Sequence, residues 1–272
     1  MTSGSQTSPE ADIAARAEAD FQEGWALHQK GQLVRAGEIY ERLIKLHPEH
    51  FNALHMLGIV TAQAGDSSQA VAWFGRAVAV NPGNAAAHYN RGSALARIGR
   101  HQDAVSSYDR AIALTPDYAD AYNNRGNALR ALGQDGAAIA SYDGAVRSRS
   151  DFTEAYINRA NTLKGIGRFE AAVADYDRAL NLQPNLAGAY NDRGIALWSL
   201  GRLNDAIGSY DKATQVRPDF AEAYINRGVA LRDLHRLQAA LESLDKALEF
   251  RPDHAGAHIN RGAVLNDLVD QI

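Results

Sequence analysis

Six prolines set the terms on which this chain can fold. Pro48, Pro82, Pro116, Pro184, Pro218 and Pro252 stand 34 residues apart or at a multiple of 34, and Ser150 fills the one vacant slot. A fixed period of this length means that one supersecondary unit is repeated and that neighbouring units must share their apolar faces. Seven units follow in phase, at 17–50, 51–84, 85–118, 119–152, 153–186, 187–220 and 221–254, with a partial eighth at 255–272. Residues 1–16 are expected to form a disordered lead-in, and residues 255–272 a helix that caps the last unit.

Each unit reads as two amphipathic helices. In the seventh, Tyr224, Gly228, Leu231 and Leu234 fall at steps of three or four, and Ala240, Leu244, Ala247 and Leu248 repeat the spacing on a second segment. The turn between them carries glycine at repeat position 15 (Gly31, Gly65, Gly99, Gly133, Gly167, Gly201), where a helix end calls for a left-handed residue; His235 alone departs. Proline at position 32 then ends the second helix.

Two further columns predict how the helices meet. Position 8 is Gly24, Gly58, Gly92, Gly126, Ala160, Gly194, Gly228 and Gly262, and position 20 is alanine from Ala36 to Ala240. Against these small residues sits a large one at position 24: Tyr40, Phe74, Tyr108, Tyr142, Tyr176, Tyr210 and Leu244. Small against large allows close backbone approach with a filled core.

These columns resemble the tetratricopeptide repeat (TPR) family, whose pattern has small residues at positions 8, 20 and 27, aromatics at 4 and 24, and proline at 32. The resemblance covers residues 17–272 and implies an all-α, right-handed α-solenoid superhelix of helix-turn-helix repeats. Two departures stand out. Position 4 carries Tyr122, Tyr156, Tyr190 and Tyr224 where tryptophan is common, and position 7, usually leucine, carries Arg91, Arg125, Arg159, Arg193, Arg227 and Arg261.

An arginine in a packing column needs a partner, because an unpaired buried guanidinium is costly. Position 25 supplies Asp109, Asp143, Asp177, Asp211 and Asp245 in repeats three to seven, whereas the second repeat has Leu57 and Gly75 in the two columns. A repeating Arg/Asp bridge that fixes the register of neighbouring hairpins is expected.

The family's concave groove is lined by positions 2, 5, 6, 9, 12 and 13, so the resemblance implies a polypeptide ligand there. Position 6 is the most regular: Asn90, Asn124, Asn158, Asp192, Asn226 and Asn260. A row of amides one repeat apart offers donors and acceptors to an extended peptide backbone. It resembles the ladder in the TPR arm of O-linked N-acetylglucosamine transferases, which implies polypeptide recognition along the groove. Asn123, Asn127, Asn161, Arg130, Lys164, Arg232 and Trp198 are expected to surround it, with Tyr89 and Trp25 nearer the N-terminal end. The cochaperone clamp for a C-terminal carboxylate is missing: position 5 (Phe21, His55, Tyr89, Asn123, Ile157, Asn191, Ile225, Ile259) holds no lysine, and Asp120, Glu154 and Glu222 at position 2 repel a carboxylate.

No reaction chemistry emerges. Without cysteine, disulfides, thiolate catalysis and Cys-rich zinc sites are excluded, and no glycine-rich phosphate loop of the GxGxxG or GxxxxGK type occurs. His254 and His258 have a metal-like i, i+4 spacing, yet one falls in a turn and the other in the aromatic column at position 4, so no metal and no cofactor are expected. With 28 Lys and Arg against 32 Asp and Glu, the net charge of −4 offers no field for nucleic acid or anionic lipid. The N-terminus has no basic segment followed by an apolar one, and no stretch approaches eighteen apolar residues, so a cytoplasmic location without a membrane span is expected. The expectation is a non-catalytic scaffold binding a protein or peptide. Two alternatives stay open: the recognition arm of a longer glycosyltransferase, since the sequence stops within an eighth repeat, and a self-associating structural module, hence a homo-oligomer.

The fourth repeat is expected to be the weakest, with Gly136 and Gly144 in its second helix and Arg147-Ser148-Arg149-Ser150 at its end.

Overall fold

The computed structural model describes residues 9–270, all of whose regular structure is helical. The chain forms two compact units, Met1–Gln134 and Asp135–Ile272. The first holds α1 (Pro9–Gln29), α2 (Leu33–Leu46), α3 (Phe51–Gln63), α4 (Ser67–Val80), α5 (Ala85–Arg97), α6 (His101–Leu114) and α7 (Ala119–Ala131). The second holds α8 (Asp135–Ser148), α9 (Thr153–Gly165), α10 (Phe169–Leu182), α11 (Ala187–Ser199), α12 (Leu203–Val216), α13 (Ala221–Asp233), α14 (Leu237–Phe250) and α15 (Ala255–Val269). Within each unit every helix packs on the next in sequence, as in an all-α solenoid of helical hairpins. Odd-numbered helices also touch the next odd-numbered one, whereas among the described residues no two even-numbered helices meet. The odd-numbered helices therefore form the more closely spaced row in each unit.

The turns form as the glycines predict. Gly99 sits at φ 75° while its N–H donates to the Ala96 carbonyl and that of Arg100 to Leu95, so two otherwise orphaned carbonyls at the end of α5 are satisfied. His235 closes α13 with the same pair of bonds at φ 54°, a left-handed conformation that a side chain disfavours. In the fourth repeat, where Ser150 replaces proline, α8 still ends in the usual way, the Arg149 N–H donating to Ala145.

Close approach explains the column at position 8. A Cβ on Gly194 would lie 2.4 Å from the Tyr210 ring, so glycine there lets α11 and α12 come together over a fully buried aromatic. Each such ring or chain contributes about 1.5–3 kcal/mol by burial.

The charged column pairs as expected. Arg125 reaches Asp109 at 2.6 Å, Arg193 reaches Asp177 at 2.6 Å, Arg227 reaches Asp211 at 2.6 Å and Arg261 reaches Asp245 at 2.5 Å, while Arg159 bonds Asp143. Each rung joins the second helix of one repeat to the first helix of the next. Position 23 completes the fork: Ser209 and Ser243 accept from Arg193 and Arg227, and the buried Asp175 takes two bonds from Arg159, at 2.6 and 2.7 Å. The hydrogen bond to Asp175 chiefly holds the proton on Arg159 more firmly than usual, against the opposing effect of burial. Where Gly75 stands in the aspartate column, Arg91 keeps a buried Nε without a partner.

One boundary differs from expectation. Residues 9–16, read as disordered lead-in, form the opening turns of α1, because a proline such as Pro9 is compatible with the first turn of a helix. Residues 1–8 of that lead-in lie outside the described residues. Residues Ala255–Val269 form α15, which packs on α13 and α14. Among the described residues, no helix is long and apolar enough to cross a membrane.

Candidate functional site

The candidate site is the face that the odd-numbered helices present in each unit. Successive first helices lie side by side with a register offset of one residue, so bonds run from one repeat to the next across 35 residues. One row joins position 5 to position 6: Asn90 donates to His55 Nε2 at 2.9 Å, Asn124 to the Tyr89 hydroxyl at 3.0 Å and Asn226 to Asn191 Oδ1 at 2.9 Å. A second row joins position 12 to position 13: His28 and Gln63 meet at 2.9 Å, the Trp198 indole N–H donates to Asp233 at 2.7 Å, and Arg232 donates to Asp267 at 2.5 Å.

These rows revise the sequence-based picture of the asparagines. One side-chain N–H of each of Asn90, Asn124 and Asn226 is engaged by the preceding repeat. Each half-buried amide keeps a second N–H and acceptor capacity on its oxygen, although Asn124 Oδ1 already accepts from Asn123. Asn158 and Asn260 are also half-buried. Asn123, expected on the open face, is only 2% exposed: position 5 turns into the seam between repeats, and its amide donates to Asn124 at 3.4 Å. Asn161 accepts the Tyr176 hydroxyl at 2.5 Å, so part of its capacity anchors the core ring. Asp192, the one carboxylate in the row, is joined to Lys164 at 2.7 Å, which brings two candidate residues together as an ion pair. Arg232 is likewise paired, whereas Arg130 is exposed and Asn127 lines a cavity. Trp198 keeps 42% of its surface exposed despite its bond to Asp233.

A cavity recurs on this face at the same repeat positions. Its floor is the position-24 ring, and its walls are positions 9 and 12 of one repeat and positions 6 and 9 of the next. Over Phe74 it is walled by Ile59, Ala62, Asn90 and Ser93, with a volume of about 170 Å³. Over Tyr108 the walls are Ser93, Ala96, Asn124 and Asn127, with about 280 Å³. Over Tyr210 they are Ile195, Trp198, Asn226 and Val229, with about 210 Å³. Ser93, Arg97, Ile195 and Val229 were missed as candidates, although positions 9 and 13 belong to the columns that face a groove.

The histidines serve local structure. His254 Nδ1 accepts the Ala257 N–H at the start of α15, and His258 Nε2 bonds the Pro252 carbonyl at 2.7 Å. Burial holds His55 below the usual imidazole range, consistent with a neutral ring that accepts from Asn90. Among the described residues, no three His, Asp or Glu side chains gather in a way that could hold a metal.

A profile described as tetratricopeptide repeat matches residues 55–119, 97–151 and 191–255, a second of the same description matches 18–50, and a TPR-repeat profile matches 162–201. Among solved structures, YrrB, presented as a TPR protein with an unusual peptide-binding site, is 26% identical over 70% of this chain and 97% of its own, with a TM-score of 0.63. The MamA protein is 27% identical over 63% of this chain and 94% of its own, with a TM-score of 0.59. The C-terminal part of a TPR-containing protein from Cytophaga hutchinsonii shares the fold, with a TM-score of 0.77 over 88% of this chain and 98% of its own, at 15% identity. No curated protein matches the sequence.

Proposed function

Because the chain belongs to the tetratricopeptide repeat family, we propose that it is a non-catalytic protein-interaction scaffold that holds a polypeptide segment against its odd-numbered helices. The observation that carries this reading is the recurring cavity, which sits beside a half-buried asparagine in both units. A regular row of acceptor oxygens suits the N–H groups of an extended backbone whatever its sequence, and the cavities suit its side chains. The likeness to YrrB, a TPR protein with a peptide-binding site, supports the same assignment. The net charge of −4 favours a protein partner over nucleic acid.

Selection of displayed random peptides tests it, using segments of about twelve residues, which extend far enough at ~3.3 Å per residue to cross three repeats. Clones chosen on the wild-type chain should fail to bind Ala96→Trp/Val229→Trp, which fills two cavities. They should still bind Gln102→Lys/Glu170→Lys, altered on exposed positions of α6 and α10. Clones that bind both variants equally well would show that the odd-helix face is not where peptides attach.

A further inference from the structure

Although the recurring cavity has the same register in each repeat, its lining changes along the chain. In the second unit, Ile195, Trp198 and Val229 surround the Tyr210 ring, and the polar groups at the edge are already engaged: Trp198 Nε1 donates to Asp233 and the Asn226 amide to Asn191. A chamber lined in this way by Ile195, Trp198 and Val229 rewards an apolar side chain and penalises a charged one. In the first unit, the neighbouring cavities over Phe74 and Tyr108 share Ser93 and Arg97 and include Asn90, Asn124, Asn127 and His101. Arg97 is exposed and hydrogen-bonded only to the Ala62 carbonyl, at 3.3 Å, and among the described residues no carboxylate pairs with it. His101, beside it, buries an Nδ1 with no partner.

We propose that the cavities are side-chain subsites of differing taste: the second unit's, over Tyr210, takes a large aliphatic or aromatic side chain, and the first unit's pair, with Arg97 between them, takes an acidic one. The inference rests on the peptide-binding reading above and assigns its specificity. The volume of about 210 Å³ over Tyr210 accommodates a leucine or phenylalanine side chain in contact with the ring and with the Trp198 indole. Arg97, which lines both cavities, presents a planar fork that matches a carboxylate in two-point geometry. Neighbouring first helices lie about 8–10 Å apart, close to three residues of extended chain, so adjacent subsites would read every third residue. Specificity of this kind needs no change in the backbone-binding row, since positions 9, 12 and 13 vary while position 6 stays an amide in five of its six occurrences from Asn90 to Asn260.

Degenerate peptide pools, each with one amino acid fixed at its centre, are probed with the labelled full-length chain. Pools fixed as Leu, Phe or Trp and pools fixed as Asp or Glu should both retain the wild type above the other pools. Trp198→Ala and Val229→Asp should each lower retention by the apolar pools roughly tenfold or more, the worth of one buried apolar side chain, and leave the acidic pools unchanged. Arg97→Ala should do the reverse. Retained binding to the other class of pool is itself the check that each variant is folded. Equal losses on both classes of pool, or no loss on either, overturn the assignment of the subsites. A wild-type chain retained by no pool instead removes the peptide-binding reading, and the subsites with it.

Discussion

Replacing Gly75 by aspartate should stabilise the first unit. In repeats three to seven an aspartate at this position accepts from the arginine of the following repeat, but Gly75 leaves Arg91 Nε buried and unpartnered. A Cβ at Gly75 would meet nothing within 4 Å and the site lies inside α4, so the new side chain fits without rearrangement. Satisfying an orphaned donor that is also charged is worth about 1–3 kcal/mol. The equivalent pair in the next repeat keeps side-chain exposures of 27% for Arg125 and 52% for Asp109, so solvent screening puts the gain near the lower end, about 1–1.5 kcal/mol. Removing glycine from a helix adds about 0.3 kcal/mol more, since aspartate is itself a modest helix former. Urea unfolding followed by the fluorescence of Trp25 and Trp73, both in this unit, should therefore show a later midpoint for Gly75→Asp. The decisive comparison is with the same substitution in an Arg91→Met background, where most of the gain should vanish. If Gly75→Asp stabilises both backgrounds equally, the rung contributes nothing and only helix propensity is being measured.

His235→Gly should stabilise the second unit by about 1 kcal/mol, because it relieves the one side chain held at positive φ in a turn that six glycines otherwise occupy; an unchanged or earlier urea midpoint would contradict this. Alkali should loosen the fold through the buried tyrosine column. Burial pushes Tyr40 and Tyr108 up to about 12, so the neutral phenols favour the folded state; their stabilisation is complete below pH 10 and lost as pH rises from there towards 12. Urea midpoints should fall over that interval as tyrosinate absorbance rises, and a midpoint that holds constant through about pH 11 would exclude the linkage.

The architecture was legible because its punctuation is periodic: proline and glycine act through their own backbones, so Pro82 and Gly99 mean the same thing in every copy. The Arg/Asp rungs were legible for a related reason, since a column of six arginines beside one of five aspartates has few other ways to be satisfied. Column 23 was not, because serine is unremarkable in a helix until an arginine such as Arg193 is seen to end on Ser209. At the candidate site the sequence identified the row of asparagines but not its partners. Which side chain meets Asn124 depends on the one-residue offset between neighbouring first helices, a property of packing that no single helix encodes, and the same offset buries Asn123. The start of α1 escaped notice because Ser3, Gly4 and Ser8 suggest an open chain, while the helix needs only Pro9 and the residues after it.

Contacts in each unit join helices no more than two places apart in order, and every arginine rung spans 16 residues. During synthesis, then, a hairpin finds its preceding neighbour already made and never waits for a distant stretch to leave the ribosome. Low sequence separation of this kind favours rapid acquisition of structure, and the oily flank of each newborn hairpin stays uncovered only until the next helix arrives. The stage most open to aggregation should be the nascent chain between one proline and the next.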